Sequence, residues 1–152
     1  AGAHPGPALM IVLDTTVLVY AKGADHPLRE PCRALLEAVG RGTLAATTTA
    51  EVIQEFAHVR ARRRDRSDAA ELAAAYLDLL SPLLPVGEEQ VLEGLRLFGR
   101  HPELGCFDAV LAAAAMAVQA EALVSADGAF ASVAGLVHVD PGTPALAALL
   151  ER

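Results

Sequence analysis

Short strand-forming runs alternate with segments of helical periodicity, and this alternation constrains the fold more than any other feature of the chain. Met10 to Leu13 is an apolar run closed by Asp14 and reads as a buried strand. Thr15 to Lys22 reads as a short helix stopped by Gly23. From Leu28 to Val39 the apolar residues Leu28, Cys32, Leu35, Leu36 and Val39 recur on one helical face, and Gly40 and Gly42 end the segment. Thr43 to Thr47 is a second strand. A hydroxyl of Thr48 or Thr49 is placed to cap the helix that follows, which carries Val52, Ile53, Phe56 and Val59 on one face. Ser67 and Asp68 open a helix reaching Leu80, Leu83 and Leu84 read as a short third strand, and Glu88 to Phe98 is amphipathic. Phe107 to Ala120 is apolar nearly all round after Asp108, the pattern of a buried helix. Ala122 to Ser125 and Leu136 to Val139 are the last strands, and Pro144 to Leu150 is a C-terminal helix. Strands separated by helices pair in parallel, and such a sheet is covered on both faces, which makes this an α/β protein.

Composition narrows the class further. At 152 residues the chain is about one domain, and 53% hydrophobic residues exclude a disordered polymer. Its apolar runs fall short of the roughly 20 residues that cross a bilayer. Ala1 to Leu9 carry no pattern and read as a tail ahead of a natural start at Met10, leaving residues 10–152 as the domain. Without a basic segment leading into an apolar run there, a soluble, cytoplasmic protein is expected. Cys32 and Cys106 stand far apart, so neither a disulfide scaffold nor a zinc site is indicated. The net charge of −7 argues against a protein that coats nucleic acid. It leaves room for an enzyme that holds nucleic acid through a cation and a local basic patch.

Ligands of open α/β sheets bind beyond the carboxyl ends of the strands. Acids fall there in several segments: Asp14 ends the first strand, Glu51 and Glu55 sit on the helix after the second, Asp108 opens the buried helix, and Asp127 follows the strand ending at Ser125. Taken singly, each has an ordinary role as a turn, a solvated helix position or a partner of a helix dipole. Together they can converge, and clustered carboxylates repel unless a cation joins them. Carboxylate ligation without His or Cys suits Mg²⁺ or Mn²⁺, which can activate water and stabilise in-line displacement at phosphorus.

These residues carry a resemblance. The chain resembles the PIN-domain ribonucleases, and among them the single-domain VapC-type toxins of bacterial toxin–antitoxin pairs, from Met10 to about Pro141. Four matches in order support it: Met10 to Leu18, Val52 to Phe56, Leu104 to Ala114 and Leu123 to Phe130. The resemblance implies a three-layer α/β/α sandwich around a parallel sheet, with Asp14, Glu55, Asp108 and Asp127 gathered at one end around Mg²⁺ or Mn²⁺. Asp14, Asp108 and Asp127 would hold the ion, with Glu55 completing the second position or orienting water. A gapped match would put Glu51 in that place, but Gln54 and Phe56 fit the pattern around Glu55 better. Thr16 matches a small hydroxyl residue that bonds the acids, and Ser125 matches another. The implied activity is metal-dependent endoribonuclease action. The implied partners are RNA, a VapB-type antitoxin whose C-terminal segment crosses the acidic cleft, and a second copy of the chain, with the first helices supplying the dimer surface.

Arg60, Arg62, Arg63 and Arg64 form the dense basic run, directly after the helix bearing Glu55, and guanidinium groups there suit RNA phosphates. Aromatic residues are 4% with no Trp, so base stacking is not expected and discrimination would come from RNA shape and backbone. Cys106 reads as a small core residue, His58 as a satisfied helix histidine, and Tyr20, Phe98 and Phe107 as core or interface. Three rivals compete. A phosphoaspartyl hydrolase of the haloacid-dehalogenase type needs an acid where Thr16 stands. A receiver module needs a late Lys, whereas the lone Lys is Lys22. A non-catalytic PIN-fold interaction protein would not need the full acid set.

Overall fold

The computed structural model describes residues 9–151, so the expected N-terminal tail lies outside the described residues except for Leu9. Strand β1 (Ile11–Leu13) is wholly buried and runs straight into helix α1 (Thr15–Lys22). Helix α2 (Arg29–Gly40) leads to the two-residue strand β2 (Ala46–Thr47), shorter than the expected Thr43 to Thr47. Helices α3 (Ala50–Arg63), α4 (Arg66–Leu80) and α5 (Glu88–Arg100) follow without an intervening strand. Helix α6 (Cys106–Ala117), strand β3 (Ala122–Val124), a 3₁₀ turn over Gly128–Ser132, strand β4 (His138–Val139) and helix α7 (Pro144–Leu150) complete the described chain.

The expected third strand at Leu83 and Leu84 is not formed. Leu84 makes a single parallel bridge to Thr49, because the Leu84 N–H donates to the Thr48 carbonyl at 2.9 Å while the flanking prolines donate nothing. The expected hydroxyl cap on α3 is also absent. Thr49 occupies the cap position without a side-chain bond, and the Thr48 hydroxyl instead donates to the Leu13 carbonyl at 2.6 Å, stitching the end of β2 to β1. Helix α4 opens at Asp65, whose side chain accepts from the Asp68 N–H at 2.7 Å, slightly before the expected start.

All strand pairs are parallel, in the order β2-β1-β3-β4. From β1 the chain crosses over to β2 on one side, and β3 and β4 extend the sheet on the other. The order therefore reverses between β1 and β3, where a crevice opens at the carboxyl edge of an α/β sheet. The sheet buries Ile11, Val12, Leu13, Leu123 and Val124 completely. Helix α6 is buried along Ala109 and Leu111 to Ala115, and its small side chains admit close neighbours. Helix α5 exploits this at Gly94, where an added Cβ would stand 2.6 Å from Val110 Cγ2 and 2.7 Å from Val110 Cα. On α3 and α4, Phe56 and Tyr76 meet edge to face with ring centroids 4.9 Å apart.

Candidate active site

The crevice is built on Asp14. Its backbone N–H donates to the Val124 carbonyl at 3.0 Å, so the ladder between β1 and β3 continues one residue past the strands. That fixes the Asp14 side chain beside Ser125, the next residue on the neighbouring strand's path. Both residues are buried. The Ser125 hydroxyl donates to Asp14 Oδ2 at 2.6 Å, and the Thr16 hydroxyl donates to the same oxygen at 3.0 Å. Thr16 accepts from the Ala126 N–H at 3.0 Å and Ser125 accepts from the Asp127 N–H at 3.0 Å. The two hydroxyls thus couple the acid after β1 to the backbone leading to Asp127.

The other acids are brought in by helices and turns. Glu55 lies on the solvent-facing side of α3, opposite the buried Val52, Ile53 and Phe56, and its Oε2 accepts from the Thr15 hydroxyl at 2.9 Å. Asp127 caps the 3₁₀ turn, its Oδ1 accepting from the Ala129 N–H at 2.9 Å. Asp108 stands in the first turn of α6, where the helix dipole favours a carboxylate. A shared pattern emerges. Asp14, Glu55 and Asp127 each commit one carboxylate oxygen to a hydrogen bond within the fold. Among the described residues no donor reaches the second oxygen of any of them, nor either oxygen of Asp108.

The four acids share one space, and Asp108 feels the other three. Asp108 is pushed up from its ordinary 3.8 to about 7, first by burial and then by the charges of Asp14, Asp127 and Glu55. All four line a cleft of about 460 Å³, together with Thr15, Thr16 and Arg63. Glu51 is not among them: it faces a second cavity of about 610 Å³, which shares Asp14, Glu55 and Asp108 with the cleft. The structure thus brings Glu55, rather than Glu51, together with the three aspartates. Among the described residues no group of His, Cys, Asp and Glu is drawn together tightly enough to enclose an ion unaided.

The arginines divide. Arg63 lines the acidic cleft, and with Lys22, Arg60 and Arg64 it lines a smaller basic cavity of about 200 Å³ beside it. Arg62 is exposed but borders neither cavity. Arg60 turns its guanidinium to Asp68 at 2.7 Å and to the Lys22 carbonyl at 3.1 Å, tying α3 to α4 and to the end of α1. Thr15 escaped the sequence reading, although a hydroxyl pair directly after Asp14 was the signal that could have found it. One further position is corrected: Cys106 is exposed, not core. Phe107, expected in core or interface, is 77% exposed and so lies outside the core. His58 is also exposed and lines the larger cavity.

Comparison with known proteins agrees with this fold. A family model described as the PIN domain matches residues 11–136. Ribonuclease VapC7 of Mycobacterium tuberculosis is 58% identical over 142 residues, 93% of this chain and 98% of that protein. Ribonuclease VapC23 of Mycobacterium tuberculosis is 38% identical over 101 residues, covering 65% of this chain and 78% of that protein. Among solved structures, a chain from the crystal structure of VapBC2 from Rickettsia felis bound to a DNA fragment from their promoter superposes with a TM-score of 0.67. It covers 87% of this chain and 98% of that one at 16% identity, a likeness of fold.

Proposed function

Because the chain belongs to the PIN-domain family, and at 58% identity over nearly its whole length to the VapC proteins within it, we propose that it is an endoribonuclease toxin working at the Asp14 crevice. One observation carries the reading: at the switch point of the sheet, acids from four segments each keep a carboxylate oxygen free of protein donors. A chain has little use for such a set unless something else takes those oxygens up.

A hard divalent cation fits the donors, which are all carboxylate oxygens. Asp14, Asp108 and Asp127 would hold it, and the loose grouping suits Mg²⁺ or Mn²⁺, which keep several waters. When bound, the ion supplies charge that offsets the acids and polarises water and the scissile phosphate. The rest is the work of the chain. Ser125 and Thr16 hold Asp14 Oδ2, so that Oδ1 is the oxygen presented. Thr15 holds Glu55 at Oε2, leaving Oε1 to orient water. Asp108, with its carboxyl near half-protonated at neutral pH, gives up a proton when positive charge arrives. Arg63 and Arg64 meet the phosphates beyond the cleft, whereas Arg60 lines the same basic cavity with its guanidinium committed to Asp68 and the Lys22 carbonyl.

Incubation of the protein with total RNA, in Mg²⁺ or Mn²⁺ against EDTA and beside Asp14→Asn and Asp108→Asn, tests the reading. Discrete fragments that require cation and both acids are expected. Folded wild-type protein that cleaves nothing in several RNA pools would instead favour an interaction role on this fold.

A VapB-type antitoxin completes the proposal, since a cleft this acidic suits a basic segment laid across it. A second copy of the chain is the other proposed partner. Its surface moves from the first helices to α5, where Val91, Leu92, Leu95 and Phe98 are exposed; among the described residues α1 and α2 expose no large apolar side chain. Sedimentation of the wild type against a Leu92→Glu, Leu95→Glu variant reads this directly. Among the described residues no helix is long and apolar enough to cross a membrane, in keeping with action on RNA in the cytoplasm.

A further inference from the structure

The larger cavity plays no part in the chemistry above, although it opens from the same acids. It is about 610 Å³ and is walled by Glu51, Gln54 and His58 from α3 and by Cys106, Phe107 and Leu111 from α6. Apolar surface from Val52, Phe107 and Leu111 faces polar side chains at Glu51, Gln54 and His58, a combination that can seat and orient a small planar ligand. Two observations say more. Phe107 directly precedes Asp108 and, at 77%, is the most exposed of the four Phe. Glu51 has one carboxylate oxygen, Oε2, closed off from solvent with no hydrogen-bond partner. A buried acceptor without a donor is costly, and an ionised carboxylate can be satisfied only by donors.

From this cavity we infer a nucleobase subsite adjoining the scissile phosphate, with Phe107 as its stacking face and Glu51 as the acceptor that selects guanine. The inference rests on the ribonuclease reading of the adjoining acids. A phosphate joined through a cation to Asp14 and Asp108 would bring the neighbouring base toward Phe107, since the cavity and the cleft share those acids. Unpaired RNA bases stack on aromatic rings and are read along their edges. Guanine presents two adjacent donors, N1–H and the N2 amino group, which match a carboxylate once the Glu51 side chain turns its unpartnered Oε2 out into the cavity. Gln54, exposed on the same helix face one turn from His58, can donate its amide to guanine O6. Uracil offers one donor, and adenine and cytosine offer an amino group beside an acceptor, so each satisfies Glu51 less well. The scarcity of aromatics argued against stacking, but a single ring in this place suffices.

Two measurements test the subsite. Cleavage positions in a randomised single-stranded RNA pool are sequenced for the wild type, Glu51→Gln and Phe107→Ala. Separately, GMP and UMP are titrated in EDTA, with amide NMR shifts followed at Gln54, Cys106 and Phe107. The wild type is expected to favour guanine at one fixed position beside the cut. Glu51→Gln should flatten that preference by roughly ten- to a hundredfold, the size of one bidentate base contact. Phe107→Ala should weaken GMP binding by a similar factor. Cleavage without base preference, together with equal GMP and UMP titrations, overturns the subsite and leaves the nuclease standing. Preferential GMP shifts in a protein that cleaves no RNA support the subsite and sink the nuclease reading instead. A guanine preference unchanged in Glu51→Gln, in a variant that has lost binding to an arginine-bearing peptide, overturns the inference by assigning Glu51 to a protein partner.

Discussion

Asp14 and Asp108 are the same residue type in the same crevice, and the fold treats them in opposite ways. Asp14 is buried at the end of a central strand, with two hydroxyls on one of its oxygens. Asp108 stands on the first turn of a helix, meets no donor among the described residues, and is pushed up to about 7 by burial and by its neighbours' charges. The sheet therefore supplies a fixed floor and the helices an adjustable wall. The floor is satisfied by the protein alone, whereas the wall is relaxed only by added positive charge. On the proposed reading, pre-organised charge of this kind would supply catalytic stabilisation, and the unsatisfied member is where a cation would act.

The largest effect should come from breaking the floor. Asp14→Asn keeps the size of the side chain and can still accept from Ser125 and Thr16, so the fold should persist. Losing the charge at the presented oxygen should lower the cleavage rate by roughly a hundred- to a thousandfold, the range for removing a pre-organised group. Single-turnover assays with far-UV circular dichroism as the control for folding measure it. Activity within a few-fold of wild type would move the centre away from Asp14.

The same division explains what could be read from residues alone. The floor was legible because strand-end acids and hydroxyls lie at fixed offsets from apolar runs, as at Leu13-Asp14 and Val124-Ser125. Most helices were legible from periodicity, with α1 matching at both ends. What escaped depends on tertiary partners. Nothing local tells that the Thr48 hydroxyl turns to the Leu13 carbonyl rather than to its own helix, or that Leu84 makes one bridge instead of a strand. Arg60 and Arg63 look alike in a run of arginines, and only the crossing of α3 by α4 gives one of them to Asp68. Phe107 reads as core or interface because it is aromatic beside an apolar helix, and only the packing of α6 shows that it stays out of the core.

The wall can be disturbed without touching an acid. Gly94 lets α5 lie against α6 at Val110, two residues after Asp108. A Cβ 2.7 Å from the Val110 backbone cannot be met by rotating a side chain, so Gly94→Ala must move one helix. The cost should be about 1–3 kcal/mol, as for overpacked cores, read from urea denaturation. Cleavage should fall as well, because the turn that shifts carries Asp108. An unperturbed midpoint would show that α5 is free to slide.

Next in size is the pH dependence of the wall. The Asp108 carboxyl titrates at 3.8 in ordinary surroundings and at about 7 here, so the folded state holds its proton more tightly than the unfolded chain. Stability from this group is fully present below about pH 4, declines as pH rises toward 7, and is flat above. Without divalent cation, Asp108→Asn should gain on the wild type by about 1–2 kcal/mol between pH 4 and 8, after allowing for screening of a part-exposed group. Thermal melts of both proteins across that range give the difference. Added Mg²⁺ or Mn²⁺ at pH 8 should raise the wild-type melting temperature and leave the variant nearly unchanged. Parallel curves for the two proteins would mean that the acids do not crowd Asp108.

The smallest expected effects separate the arginines at the rim. Arg63 borders both the acidic cleft and the basic cavity, and its guanidinium has no ion-pair partner among the described residues. Arg60 spends its guanidinium on Asp68 and on the Lys22 carbonyl. If phosphates pass along this edge, Arg63→Ala should reduce the salt dependence of RNA binding by about one unit in log–log slope, with affinity weakened nearly uniformly across sequences. Arg60→Ala should leave that slope alone and lower the melting temperature by a few degrees, roughly the effect of losing 1 kcal/mol in a domain of this size. Binding of a non-cleaved 2′-O-methyl RNA to both variants, measured at several salt concentrations, distinguishes them. A slope that changes with Arg60 and not with Arg63 would confine the RNA path to the basic cavity that Arg60 also lines, away from the acidic cleft that Arg63 borders.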